Sequence, residues 1–589
     1  VHIDDKEKRR INPKATMAAR IKQQSLKEVF QKWIWKDPER SREICSYYNR
    51  HFNNIKPREY NGDFLTFPGM SSDIKMQKHQ RDAIAHTLYG GNTLLAHCVG
   101  AGKSFEMIAS AVESKRLGLA KKPMLVVPKH LTEQMGEDFH RLYPAAKILI
   151  ATDKTFTAQN RKELCSKIAT QNWDAVIMGY TQFEKIPLSL ERQKITLQEQ
   201  INEITEAAEE YTESTGRGKS FTVKQMSKMR KKLEAKLASL QKEGKDETVT
   251  FEDLGVDKLY VDEAHYFKNL YTPTKLGNIS GIQTTEAAKT MDFYQKCKYI
   301  NEITNYHGLV FATGTPISNS MTEMYTMQRY LQPQRLAETG MGYFDAWAAN
   351  FGEQVTELEI NPEGKGFRER TKFSQFQNLP ELMANFKEIA DIKTADMLKL
   401  PVPKEEIIVE KIKPTDLQKD YVDQLADRAE QVRAGEVDVT EDNMLKITNE
   451  GRLLALDQRI IIPNAPDNPE SKTNRCIANV MKIYRDGTND KATQLIFCDK
   501  STPNKDGKFN VYDDIKEKLI QQGVPAQEIA FIHDAKTDNQ RDELFEQVRQ
   551  GRVRILLGST DKLGVGTNIQ DRLAATHDLD VPWRPSDLE

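Results

Sequence analysis

The sequence predicts an α/β protein of two lobes, each a parallel β-sheet with covering helices, joined by a helical region. Three observations predict it. Between Met76 and Phe183, short apolar strands alternate with amphipathic helices, the pattern of a parallel sheet covered on its faces. The same alternation begins again at Gln494 and runs to Leu557. Between the two, residues 188–243 break the first pattern with a charged stretch in which apolar residues recur every seven positions.

In chain order, residues 1–70 are polar and punctuated by aromatics, with a helix expected over Thr16–Trp35. The first lobe is expected over 71–330, with strands at 93–96, 124–127, 148–150 and 175–178. The interruption places Leu190, Leu197, Ile204 and Tyr211 on one helix and Met226, Leu233 and Leu240 on a second, with Gly216-Arg217-Gly218-Lys219 between them. The first run is rich in Glu and the second in Lys and Arg, so an antiparallel helical hairpin would pair opposite charges across its seam. Such a hairpin is either a solvated structural protrusion or an arm that touches nucleic acid or a partner. The sheet pattern resumes at 259–263 and at 309–312, and residues 331–480 are expected to form a helical bridge. The second lobe, 481–589, is expected to have strands at 494–498, 529–532 and 553–557, with helices over 511–522 and 538–550.

The chemistry lies at two strand ends. Thr93–Ala96 runs into His97-Cys98-Val99-Gly100-Ala101-Gly102-Lys103-Ser104, after which Phe105 opens a helix. This strand–loop–helix order cradles phosphates: backbone N–H groups of Val99, Gly100, Ala101 and Gly102 turn toward the oxygens at a helix N-terminus. Lys103 is then placed to reach the β/γ-phosphates and Ser104 to hold Mg²⁺. The strict pattern has glycine at its first position, where this chain has His97, so an ordinary turn before a helix is the alternative reading of the loop alone. Asp262 and Glu263 stand 158 and 159 residues beyond Ser104, directly behind the apolar Leu259-Tyr260-Val261 and before Ala264-His265. One carboxylate suits a metal-holding Asp and the other a water-orienting Glu. Together the two motifs predict that the chain binds ATP with Mg²⁺ and hydrolyses it.

Composition sets bounds. With 38% hydrophobic and 29% charged residues, no apolar run near the ~18 residues of a membrane span, and no charged-then-apolar leader, no membrane partner is expected and the location is expected to be cytoplasmic. A start at Val1 suggests a processed or excised chain. The six cysteines are far apart, without a C-x-x-C pair, which argues against structural zinc and a disulfide framework. The net charge of −1 requires any nucleic-acid site to be a local basic cleft.

Taken in order, the motifs resemble those of superfamily-2 helicases, and within them of Swi/Snf-like DNA translocases. His79-Gln80 lies 23 residues before Lys103 when counted from Gln80, where such proteins carry an adenine-reading glutamine. Pro123–Pro128 followed by Lys129 resembles the first DNA-backbone motif, and Asp174–Tyr180 its companion strand. Thr313-Gly314-Thr315-Pro316-Ile317-Ser318-Asn319 is similar to the coupling motif. Leu331-Gln332-Pro333, Phe344 and Trp347 resemble the stretch that follows, and Leu417-Gln418 with Tyr421 the opening of the second lobe. Gly558-Ser559-Thr560 through Asn568-Ile569, then Asp580–Pro585, resemble the motifs that contact DNA and nucleotide from the second lobe. The resemblance spans about residue 76 to the end. More narrowly, the loop, the charged insertion and Val581–Pro585 resemble the helicase part of methyltransferase–helicase fusions of bacterial mobile elements and phages, although no N-P-P-[YF] tetrad is present.

The resemblance implies two RecA-like lobes closing on Mg·ATP and gripping double-stranded DNA, with RNA the lesser candidate. It implies that Lys103, Asp262 and Glu263 carry catalysis and that Thr313, Gly314 and Thr315 couple the lobes. Lys129, Ser559, Thr560 and Asn568 are implied to meet DNA phosphates, giving grip without sequence reading. The family's next motif supplies two arginines, and the sequence ends at Glu589 before it, so weak hydrolysis by this chain is expected. A strand-separating DNA or RNA helicase and a nucleotide-gated scaffold without turnover are the rival functions.

Overall fold

The computed structural model describes residues 2–3, 10–11, 13–51, 58–152, 154–215, 221–242, 249–272, 274, 288–317, 320–360, 367–399, 403, 405–438, 440–503, 508–563 and 569–580. The first lobe is a seven-stranded, wholly parallel sheet. Its strands are β1 (Thr93–His97), β2 (Pro123–Val127), β3 (Ile148–Ala151), β4 (Ala175–Gly179), β5 (Lys258–Val261), β6 (Leu309–Ala312) and β7 (Ala390–Lys393). Their spatial order is β7-β1-β6-β5-β2-β4-β3.

Alternating side chains feed two separate cores. Leu94, Val126, Val176, Leu259 and Phe311 point into one buried cluster, and Leu95, Leu125, Ile177, Tyr260 and Val310 into the other. A period of two with both faces covered explains why these strands read as unbroken apolar runs. The second core is closed by helices α1 (Lys78–Tyr89) and α2 (Lys103–Arg116), through Ala83, Ile84, Met107 and Ile108.

The insertion is a helical hairpin of α3 (Leu190–Thr215) and α4 (Phe221–Lys242). Leu197, Ile201, Ile204 and Leu233 are buried in its seam, with Met229 and Leu237 beside them. Three of the seven-spaced residues, Leu197, Ile204 and Leu233, therefore lie where the spacing predicts. The hairpin is fastened to the lobe along α5 (Ala288–Thr304): Glu199 pairs with Lys298, and Arg192 Nη1 lies 2.6 Å from Glu302 Oε2. Further out, the Tyr343 hydroxyl donates to Glu206 Oε2 at 2.9 Å. The Gly216–Lys219 tip lies outside the described residues.

The region 331–480 differs from the expected helical bridge. It holds an antiparallel ribbon, Gly352–Ile360 against Phe367–Phe376, whose root residue Phe373 is buried in the first lobe's core. It also holds β7, which pairs with β1 at the sheet edge and so extends the first lobe past 330. Both were hidden for physical reasons. Edge strands and two-stranded ribbons have one or more faces in water and carry charges, as in Ala-Asp-Ile-Lys at β7, so no apolar run marks them. Helices take over beyond it. Helix α6 (Asp416–Ala434) packs on α7 (Met444–Leu456) around Leu425, Ala429 and Ile447, with Arg428 bridging Asp442 and Glu450. Thr415 and Gln418 form the capping box that starts α6.

The second lobe is a four-stranded parallel sheet of β8 (Thr493–Phe497), β9 (Ile529–Phe531), β10 (Ile555–Gly558) and β11 (Leu573–Asp578), in the order β9-β10-β8-β11. Helices Lys472–Asp486, Val511–Gln521 and Asp538–Arg549 cover it. Strand β11 was not expected: its residues alternate between partly buried and exposed, and no apolar run announces it. At the other end of the chain, helices Pro13–Lys36 and Pro38–His51 meet at Asp37, whose Oδ1 accepts from the backbone N–H groups of Glu39 and Arg40.

Candidate nucleotide site

Strands β1, β6 and β5 are neighbours and parallel, so the loops that follow them open on one edge of the sheet. Those loops are the phosphate loop, the Thr313 loop and the Asp262-Glu263 pair. Ligands of open parallel sheets bind outside the carboxyl ends of the strands, and here the three predicted motifs share that edge.

The phosphate loop turns through two left-handed glycines, Gly100 (φ 81°) and Gly102 (φ 86°). The left-handed φ of Gly102 favours glycine, and a side chain there would also push aside the end of the Gln80 side chain. Lys103 and Ser104 open α2. Lys103 Nζ donates to the carbonyls of His97 at 3.0 Å and Cys98 at 3.3 Å, folded back over the loop it is expected to serve. Gly314 completes the wall. A methyl group there would lie 3.3 Å from Val99 Cγ2 and 3.7 Å from Lys103 Nζ.

Asp262 is buried. Burial, followed by the neighbouring charge of Glu263, pushes its carboxyl up to about 7. Burial pushes Glu263 the same way, but the hydrogen bond and charge of His265, with the charge of Lys103, bring it below the usual carboxylate range. Glu263 sits in the left-handed region at φ 47°, a conformation that costs a non-glycine residue energy and is held by its surroundings. Those surroundings include the Tyr180 hydroxyl, which donates to the backbone carbonyls of Asp262 and Glu263.

A continuous path then leaves the carboxylate. Glu263 Oε2 is 3.1 Å from His265 Nδ1, which is 3.0 Å from Thr313 Oγ1, and that oxygen accepts from the Thr315 N–H at 3.1 Å. Thr313 is fully buried, and its own N–H donates to the Leu95 carbonyl on β1.

Gln80 lies against the phosphate loop. Its Nε2 donates to the Ala101 and Gly102 carbonyls at 3.4 Å each, and its Oε1 accepts from the Gln77 N–H. Lys129 is exposed just past β2. In the second lobe Ser559 and Thr560 follow β10. The Thr560 N–H donates to Asp499 Oδ1 at 2.7 Å and its hydroxyl to Asp499 Oδ2 at 3.2 Å. Asn568, with Ser318 and Asn319 of the coupling motif, lies outside the described residues. Sequence reasoning left three polar groups without a role: His265, Tyr180 and His97. The Asp-Glu-Ala-His box was a signal for the first, but the contacts of the other two depend on strands far apart in the chain.

His97 is fully buried. Its Nδ1 lies 3.0 Å from Glu106 Oε1 on α2, and its Nε2 3.3 Å from Asp391 Oδ2 on β7. Burial alone would lower its pKa, but the close contacts and charges of Asp391 and Glu106 raise it to about 9.

A parallel sheet with a lysine-bearing phosphate loop, an acidic pair and a threonine loop on one edge is the ATP-binding half of a helicase. The chain belongs to that family: the model described as a probable helicase domain matches residues 87–394, just over half of it. A helicase conserved C-terminal domain matches 475–589, and a domain of unknown function matches 1–54. The chain is 23% identical over 418 residues to "Defense against restriction protein B" of Escherichia phage P1. That alignment takes in 64% of this chain and 18% of the relative, so the chain spans less than a fifth of the relative's length. Two solved structures of the Sulfolobus solfataricus SWI2/SNF2 ATPase core are also similar. The one in complex with double-stranded DNA is 13% identical with a TM-score of 0.35, covering 88% of this chain and 89% of that one. The other is 12% identical with a TM-score of 0.31, covering 89% and 90%. Among the described residues no helix is long and apolar enough to cross a membrane.

Proposed function

We propose that this chain is an ATP-driven DNA motor, the part of a larger DNA-processing protein that couples ATP hydrolysis to movement along a duplex. Membership of the helicase family and the order of the motifs support the reading. The observation that carries it is the path from Glu263 through His265 to Thr313 and Thr315, which ties the hydrolytic carboxylate to the predicted coupling loop.

The residues fit Mg·ATP. Asp262 is a buried carboxyl whose ionised form is unfavourable as it stands, and a cation beside it removes that cost. Ser104 would share the cation, as suits Mg²⁺, which keeps waters and few protein ligands. When bound, Mg·ATP supplies the phosphoryl group and the charge that neutralises its oxygens. Lys103 exchanges two loop carbonyls for phosphate oxygens, and the amides of Val99 through Gly102 hold the remainder. Glu263, kept ionised by His265, orients the attacking water. Gln80 is the candidate for sensing adenine. Lys129, Ser559, Thr560 and Asn568 are the candidates for gripping the DNA backbone. A covalent or associated DNA methyltransferase remains part of this proposal, and the hairpin is a candidate contact for it or for DNA.

The test is steady-state phosphate release with and without duplex DNA, run beside Mg·ATP binding by thermal shift. Release by this chain should be weak but stimulated by duplex DNA, and Glu263→Gln should remove what there is while keeping Mg·ATP bound. Turnover unchanged in Glu263→Gln would overturn the assignment of the base. Binding of Mg·ATP and DNA with no turnover would favour the nucleotide-gated scaffold, and fork-dependent strand separation would favour the unwinding helicase.

A further inference from the structure

The first position of a phosphate loop is ordinarily glycine because the chain turns tightly there. In this chain it is a histidine, and the side chain is neither exposed nor idle. His97 ends β1, its Nδ1 hydrogen-bonds Glu106 in the first turn of α2, and its Nε2 lies 3.3 Å from Asp391 Oδ2 in the middle of β7, an ion-pair contact without hydrogen-bond geometry. One imidazole therefore joins the strand that enters the loop, the helix that leaves it and the strand at the sheet edge. The backbone repeats the connection: the Cys98 N–H donates to the Lys393 carbonyl at 2.9 Å. The His97 carbonyl is one of the two oxygens that hold Lys103. From α1, His79 Nε2 lies 2.9 Å from the Ala101 carbonyl and 3.9 Å from Glu106 Oε1, bringing the middle of the loop into the same cluster.

We infer that Glu106, His97 and Asp391 form a clamp that fixes the span of the phosphate loop, with His97 as a positioning residue for Lys103. The inference rests on the reading of this loop as the ATP site. With the strand before the loop and the helix after it held to one buried imidazole, the carbonyls that hold Lys103 before ATP arrives and the loop amides that would meet the phosphates keep a fixed separation. Strand β7 becomes a working part of the nucleotide site although it lies nearly 290 residues downstream of the loop.

His97→Gly is the informative variant, because it restores the ordinary loop residue and deletes the clamp. If His97 were a tolerated stand-in for glycine, Mg·ATP would bind as well or better. If it is a clamp, the Kd for Mg·ATP measured by calorimetry should rise about 10- to 100-fold, the size typical when a group that orients a ligand-binding group is lost. Asp391→Asn should weaken binding in the parent chain and add little on top of His97→Gly, since the pair acts as a unit. His97→Asn, which keeps a donor near Nδ1 for Glu106, should recover part of the loss. A merely structural role predicts instead that both variants lower the melting temperature without ATP and leave the Kd unchanged. The outcomes separate cleanly. If the parent chain does not bind Mg·ATP, the reading of the site falls and the clamp falls with it. If the parent binds and loses affinity in Lys103→Ala while His97→Gly and Asp391→Asn bind as tightly as the parent, the clamp alone is wrong.

Discussion

The two sheets end in similar loops but differ in what those loops hold. In the first lobe, β1, β6 and β5 end in Lys103's loop, in Thr313 and in Asp262-Glu263. In the second, β8, β10 and β11 end near Asp499, Ser559-Thr560 and Asp580. There the carboxylates are satisfied by the protein's own backbone: Asp580 Oδ2 accepts from the N–H groups of Asp499 and Lys500 at 2.7 and 2.9 Å, and Asp499 from that of Thr560. In the first lobe Asp262 keeps a raised pKa, and Lys103 is held by carbonyls that a phosphate can replace. The difference is one of degree: Asp262 Oδ1 also accepts a backbone N–H, from Glu263 at 3.0 Å, and burial also raises the Asp578 carboxyl at the end of β11, but Asp262 is the more deeply buried and is pushed up to about 7. The proposed nucleotide site is thus the cluster with the greater unmet electrostatic demand.

Three predictions test the contrast. The largest effect belongs to Lys103→Ala, which removes a charged donor from the phosphates. Mg·ATP affinity should fall at least about a hundredfold, as a lost charge-assisted hydrogen bond worth about 3 kcal/mol implies. Unchanged affinity by calorimetry would erase the distinction between the lobes. The second concerns pH. His97 has its pKa raised from 6.5 to about 9 by folding, so the folded state binds the extra proton between those values. Its contribution is complete below about pH 6.5 and is lost as pH rises through about 9, amounting to about 3 kcal/mol. Denaturant melts of the first lobe should weaken over that window, and His97→Gly should flatten the slope. The smallest is Asp499→Asn in the second lobe. Losing the charge opposite the Thr560 N–H and hydroxyl should cost about 1–2 kcal/mol of that lobe's stability and leave Mg·ATP affinity unchanged. A drop in ATP affinity would show that the second-lobe carboxylates also serve the nucleotide.

How much of this was legible in the sequence depended on burial. Strands covered on both faces, such as Met124–Val127 and Ala175–Met178, declare themselves as apolar runs, and the hairpin seam declared itself through Leu197, Ile204 and Leu233. The ribbon strands Gly352–Ile360 and Phe367–Phe376 and strand β7 have polar sequences and pair on few sides, so no apolar run distinguishes them from the helical stretch around them. The proposed nucleotide motifs stand out in the sequence because phosphate chemistry constrains residue type and spacing together. The structure brings Lys103, Gly314 and Val99 to one wall and leaves Gln80 bonded to the loop. What spacing could not show was how the site is wired. His97 looked like a departure from the loop pattern, because its two carboxylate partners lie 9 and 294 residues away.

Strand β7 also sets a mechanical condition. Among the described residues, the chain's last pairing in the first sheet is at Ala390–Lys393, ahead of α6 and α7 and the second lobe. The polypeptide thus leaves the first lobe bonded to β1, the strand that feeds the phosphate loop. Tension along the linker is therefore borne first by the β7–β1 ladder, next to His97, before it reaches any other part of the sheet. If the loop is the ATP site proposed above, a load that pulled the lobes apart would act on the nucleotide's own anchorage, and a firmly seated nucleotide would in turn stiffen the tether.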